Sequence, residues 1–474
     1  MKYTYVLSLF SLLFCINFLH SQSYADPVKR FIAVDTAVVA ITGVKIIDGT
    51  GKGAISDRTL IIQDEMIRDL GHKDSIVIPE GALVISGEGK TVIPGLVMMH
   101  EHIFYSNPFE NWFSVDQMSF SFPRLYLAGG VTTMRTAGSI QPETDLNLKK
   151  WIEAGKMTGP RMDVTSPFIE REGYEIAELG FVSNPEEVRK MVRFWADRGV
   201  TSFKLYNHIT REDLKACVAE AHKLGMKVTG HLCSITYMEA SNWGIDNLEH
   251  GFMVSSDFLQ DKKAEVCDPF KAREALLKLP ENSPQMQELI DLLIKNKTAI
   301  TTTPVVMEPY TNHEIIPGGG DEALAPQIFE RVKQQYDRMQ NRDSSSVVLF
   351  RKNLSWLKRF YDKGGHLMAG TDPTGAGRTV AGYANQRTVE ILVEHGFPLG
   401  DAIKIVTLNG AAYLDMASRT GSLEKGKWAD LILIDGDLEE DIRNIRNMEL
   451  VFKSGVGFDS AKLFESVEGK VGIN

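Results

Sequence analysis

The sequence predicts an α/β protein, a (β/α)8 TIM-like barrel carrying a small composite β-sandwich domain formed by both chain ends. Three observations lead there. The middle of the chain, about residues 93–415, repeats short apolar strands followed by amphipathic helices, the two flanking segments 38–92 and 416–460 are strand-rich, and residues able to bind metal recur at the ends of successive predicted strands.

The flanking segments read as strands because apolar runs alternate with Asp/Gly turns: VVAITGVKIIDGTGKG, TLIIQDEMIRDLG and ALVISGEGKTVI near the start, GSLEKGKWADLILIDGD and MELVFKSG near the end. Strand-rich pieces at both ends of a long middle suggest one β-domain closed by both. In the middle, one unit begins with Asn184 as a helix cap, Pro185 at the first helical position, and Glu186 and Glu187 in the first turn. Val188, Met191, Val192 and Trp195 share a face, Gly199 ends the helix, and VTSFKLY follows as a strand. The next unit repeats the plan, with Thr210 as cap, the stripe Leu214, Cys217, Val218 and Ala221, the stop Gly225, and the strand MKVTGHL. Periodicity alone does not separate a barrel from an open parallel sheet; the metal motif decides for the barrel. The stretch between the sixth and eighth strands, near 255–365, is long, with TAITTTPVVM as the seventh strand and IFERVKQQYDRMQNRD as part of a helical insertion, a lid or an inert excursion.

The 474 residues, 43% hydrophobic and 24% charged, supply a large core, and a net charge of −10 without a dense Lys/Arg run excludes a nucleic-acid partner. Lys2 followed by the apolar stretch Val6–Leu19 and then Ser21-Gln22-Ser23-Tyr24-Ala25 reads as a cleaved signal peptide over residues 1–23, hence export to the periplasm or the extracellular space. No later segment is apolar enough to span a membrane. Cys217, Cys233 and Cys267 would remain, an odd set at irregular spacing that makes no disulfide framework and is expected to be buried apolar material.

The chemistry starts in VIPGLVMMHEH, where strand geometry points His100 and His102 to the same side as half of a metal site. Taken alone, such a pair is as often structural. Further candidates each end their own predicted strand: Lys204 in TSFKLY, His231 in MKVTGHL, His250 in IDNLEHG and Asp372 in HLMAGTDP. In a (β/α)8 barrel these ends converge on one face.

With these residues in family order, together with AGGVTTMRTAG, TLNGAAYL and GSLEKGKWADLILID, the chain from about Val38 to Val456 resembles the amidohydrolase superfamily, in its imidazolonepropionase-like branch with prolidase-type dipeptidases. The resemblance implies two divalent metal ions, with zinc the first candidate and manganese, cobalt or iron also suited to the ligands. His100, His102 and Asp372 would hold one, His231 and His250 the other, and Lys204 would bridge them as a carbamate. Two ions about 3.5–4 Å apart can share a hydroxide. Asp372 is then the proton shuttle and, with Lys204, the catalytic pair. Met98 departs from the family, which usually has an acidic residue two before the first His.

The implied reaction is hydrolysis of an amide bond in a small-molecule substrate, a dipeptide or N-acyl amino acid. Alternatives are a cyclic-amide hydrolase or deaminase, against which Lys204 argues, a lactonase or phosphotriesterase on the same site, and a non-catalytic assembly barrel, against which the full ligand set argues. Candidate substrate contacts are Tyr206 and His208 after Lys204, with loop packing as the alternative for both, and Arg135 and Arg378, which could pair with an anionic group. A homo-oligomer is compatible with the sequence. His222 and His395 are read as helix C-terminal histidines.

Overall fold

A computed structural model describes residues 23–106, 115–172, 179–311, 314–339, 344–374 and 378–472. The expected leader, apart from Ser23, lies outside them. Among the described residues no helix is long and apolar enough to cross a membrane.

Eight parallel strands position the candidate site: β1 (Leu96–Glu101), β2 (Val131–Thr136), β3 (Thr165–Arg171), β4 (Ser202–Leu205), β5 (Lys227–Gly230), β6 (Asn247–Glu249), β7 (Ala299–Thr302) and β8 (Leu367–Ala369). They are almost wholly buried, as expected of parallel strands covered by helices. Hydrogen bonding divides them into two sheets. One joins β1, β2 and the short strand Arg161–Asp163; the other runs from Gly180–Val182 through β3, β4, β5, β6, β7 and β8. Only Val164 separates Arg161–Asp163 from β3, so the chain passes directly from one sheet to the other. The seams are bridged at Ser139–Pro167 and where the Thr371 and Asp372 amides donate to the His100 carbonyl, at 3.1 and 2.9 Å. Gly370 is required at the second seam, since a Cβ there would lie 2.4 Å from the His100 nitrogen.

The helices form for the reasons read from the sequence. The Asn184 side chain accepts from the Glu186 and Glu187 amides, and Gly199 ends that helix, Pro185–Arg198, at φ 100°. Thr210 and Asp213 make a reciprocal capping box at the head of Arg211–Lys223. The long insertion is helical, with Pro269–Lys278, Pro284–Lys295, Pro326–Met339 and Ser345–Asp362 placed around β7 in the chain.

Strands from both chain ends share one nine-stranded sheet. Lys90–Pro94 pairs antiparallel with Leu431–Asp435, and the sheet also takes in Ile32–Val34, ahead of the expected start. The first half of Val38–Ile46 carries Leu83–Ser86 and its end carries Lys90–Pro94, so hydrogen bonding is continuous through the assembly. Val39, Ile41, Leu60, Ile62, Leu431, Leu433 and Phe452 form its own apolar cluster.

The cysteine expectation is corrected. Cys233 and Cys267 form a disulfide across 34 residues, tying the turn after β5 to the segment leading into Pro269–Lys278, and Cys217 alone is a buried free thiol. An odd count hid a single bridge, because no spacing rule tells that these two loops pack on the same side.

Candidate metal centre

The centre is built where β1, β4, β5, β6 and β8 end. His100 and His102 project to one side of β1, while Glu101 between them points to the other. Ligand-capable atoms of His100, His102 and Asp372 lie within 4.8 Å of one another. Asp372 Oδ1 is 3.1 Å from His102 Nε2 and 3.7 Å from His100 Nε2; Asp372 Oδ2 is 3.8 Å from His250 Nδ1. The His250 ring centroid stands 4.5 Å from both His100 and His231. Lys204 is buried on β4, beside Thr229 of β5, with its Nζ 5.7 Å from the Phe168 ring centroid.

Hydrogen bonds fix which ring nitrogens are offered. His100 Nδ1 is 2.7 Å from Glu249 Oε2 and His102 Nδ1 is 3.1 Å from the Gly138 carbonyl, which leaves both Nε2 atoms facing Asp372. His250 Nδ1 lies 2.8 Å from Thr303 Oγ1. His250 and Asp372 take left-handed backbone, at φ 66° and 48°, uncommon for residues with a side chain and here the turns that aim both into the cluster.

Burial lowers the His100 imidazole to about 4 and His231 to about 3, and holds His250 well below its usual value. Each is therefore neutral near pH 7, the form that ligates a cation. Burial would raise the Asp372 carboxyl, but the neighbouring imidazoles outweigh it and keep it well below the usual carboxylate range. Burial brings the Lys204 amine down to about 8, so neutral amine is present near pH 7. Neutral imidazoles beside an ionised carboxylate are the donor set a divalent cation of the zinc type takes, and the residues fit such a group.

Two supporting carboxylates escaped the sequence reading. Glu249, fully buried, receives Arg135 Nη2 at 2.7 Å and Asn247 Nδ2 at 2.9 Å on its Oε1. Glu101, raised to about 8 by burial, accepts from the Thr371 amide at 3.0 Å and Asn385 Nδ2 at 3.1 Å, which fixes the residue preceding Asp372. Glu249 stands next to His250 and Glu101 between His100 and His102. Those positions were the available signal.

Of the four expected substrate contacts, Tyr206 stands beside the cluster, 5.2 Å from the His231 ring centroid. His208 is 40% exposed, its amide donating at 2.9 Å to the buried Glu170. The two arginines are both held by groups of the protein itself. Arg135 lies within β2, fully buried, its Nε on the Met99 carbonyl and its Nη2 on Glu249, because a buried carboxylate needs a counter-charge. Arg378 donates to the carbonyls of Ile315, Pro309 and Glu314, irregular backbone of the insertion that needs donors. Met98, where an acidic residue was expected, is core.

A sequence profile of the Amidohydrolase family matches residues 91–457. The chain belongs to that family. It is a hydrolase acting on carbon–nitrogen bonds. It is 20% identical to the imidazolonepropionase of Clostridium tetani over 80% of this chain and 85% of that one. Similarity to the Stenotrophomonas maltophilia imidazolonepropionase is 32% but spans only 20% of this chain and 24% of that enzyme. Among solved structures, a Xaa-Pro dipeptidase with bound methionine in the active site shares the fold at TM-score 0.67 and 22% identity, covering 89% of this chain and 100% of that one.

Proposed function

We propose that this amidohydrolase cleaves the amide bond of a dipeptide or N-acyl amino acid with two divalent metal ions, zinc first among the candidates. His100, His102 and Asp372 would hold one ion and His231 and His250 the other, with Lys204, as a carbamate, supplying an anionic oxygen ligand to both. The observation that carries this is the meeting of His100, His102 and Asp372, with ligand atoms within 4.8 Å and His250 on the far oxygen of the same carboxylate. The eight parallel strands then act as a closed TIM-like barrel, with the strands of both ends as its companion β-domain.

The ions, when bound, supply a water acidic enough to attack at neutral pH and polarise the scissile carbonyl. Asp372 accepts the proton of the attacking water on its carboxylate and hands it to the leaving nitrogen. Glu249 and the Gly138 carbonyl hold the His100 and His102 rings so that only Nε2 faces the reaction. Tyr206 and His208, after β4, are the candidate substrate contacts. Export accords with the Cys233–Cys267 bridge, since disulfides persist in oxidising compartments.

Cyclic-amide hydrolysis is the second reading, favoured by the similarity to an imidazolonepropionase over 85% of its length. A hydrolysis screen with a dipeptide and N-acyl amino acid library beside imidazolonepropionate decides between them. Turnover of library members supports the first reading; turnover of the cyclic amide alone overturns it.

A further inference from the structure

A cavity of about 620 Å³ is lined by Met253, Met307, Phe270, Arg273, Tyr310, Ser345 and Ser346. That volume lies within the range of small-molecule sites. Its walls grow from the same strand ends as the centre. Met253 follows His250 by three residues along the turn after β6. Met307 ends the short helix Pro304–Met307 after β7, which begins directly behind Thr303, the hydrogen-bond partner of His250. The outer wall is the first turn of Pro269–Lys278, where Phe270 and Arg273, three apart, share a face. The Cys233–Cys267 bridge fastens that helix to the turn carrying His231.

The lining has a distinct chemistry. Met253 and Met307 are partly buried and adaptable, and Phe270 is 85% exposed at the rim. An exposed aromatic ring over a partly apolar cavity marks a surface that binds apolar groups. Arg273 Nη2 is held by the hydroxyls of Ser345 at 3.1 Å and Ser346 at 2.9 Å, so a fixed positive charge stands at the opening.

Resting on the function proposed above, we infer that this cavity is the specificity pocket for a large apolar side chain of the substrate, and that Arg273 at its rim turns away cationic side chains. Leu, Met and Phe fit such a lining; Lys and Arg side chains meet like charge and an apolar wall. Met253 and Met307 tie this lining by short stretches of chain to His250 and its partner Thr303, the link by which a side chain seated here would belong to a substrate held at the cluster.

The test measures kcat/KM for dipeptides carrying Ala, Leu, Phe or Lys at each position, on the wild type, Met253→Trp and Arg273→Glu. Calorimetric binding of N-acetylphenylalanine is followed in parallel. In the wild type the Phe or Leu substrate exceeds the Lys substrate by at least about tenfold at one position. Met253→Trp lowers the ratio of large apolar over Ala substrate by at least about tenfold, and Arg273→Glu lowers the ratio of apolar over Lys substrate by a similar factor. Equal ratios in all three proteins overturn the inference while leaving the proposed hydrolysis standing. Should no substrate be turned over, the function proposed above fails. The pocket is then judged by N-acetylphenylalanine alone, whose binding to the wild type and loss in Met253→Trp is expected and whose absence, or persistence in that variant, overturns it.

Discussion

Glu249 Oε2 lies 2.7 Å from His100 Nδ1, while the other oxygen of the same carboxylate takes Arg135 Nη2 at 2.7 Å. One buried anion thus orients the imidazole of a candidate metal ligand and neutralises a buried guanidinium, so ring geometry and core electrostatics share one group.

Glu249→Gln is expected to weaken metal retention or turnover about 10–100-fold, because His100 loses the anion that aligns it. The same change strands the Arg135 charge and destabilises the fold by about 3 kcal/mol. Chelator competition and thermal melts measure the two effects. The double variant Glu249→Gln/Arg135→Met is expected to recover stability but not metal affinity; recovery of both would remove the orienting role.

Asp145, buried on the helix Pro142–Glu153, has its carboxyl raised to about 7 by burial and accepts from Gln117 Nε2 at 2.7 Å. The folded chain therefore keeps a proton that the unfolded chain releases near pH 4, and this group's contribution falls as pH rises from about 4 to about 7. In melts from pH 4 to 8, Asp145→Asn is expected to flatten that fall and to gain at least about 1 kcal/mol over the wild type at pH 8. Parallel curves would show that Asp145 is ionised throughout.

Cys233→Ser is expected to lower stability by about 3–4 kcal/mol, as for a bridge closing a loop of this size. Reductant should melt the wild type toward the variant and leave the variant unchanged. Thiol titration of unfolded, exported protein should find Cys217 alone; a second thiol would place Cys15 in the mature chain and contradict leader cleavage.

The strand–helix rhythm was legible because it is local: the Asn184 and Thr210 caps and the Gly199 stop each act within a few residues. The candidate ligands were legible because family order and strand ends name them together. Glu249 and Arg135 were not read as a pair, since 114 residues separate partners whose meeting depends on how the strands stack. The partners of Arg378 were hidden for a similar reason: the carbonyls of Ile315, Pro309 and Glu314 that it meets lie more than 60 residues away in the chain. Cys233 and Cys267 likewise carry no local mark of their bridge.

Elemental analysis of the purified wild type and of Lys204→Ala, with turnover recorded on the same samples, tests the central claim most directly. Two divalent ions per chain in the wild type, with loss of metal and at least about a thousandfold loss of kcat in the variant, are the predicted results. One ion per wild-type chain, or undiminished turnover in Lys204→Ala, would contradict the paired-metal account.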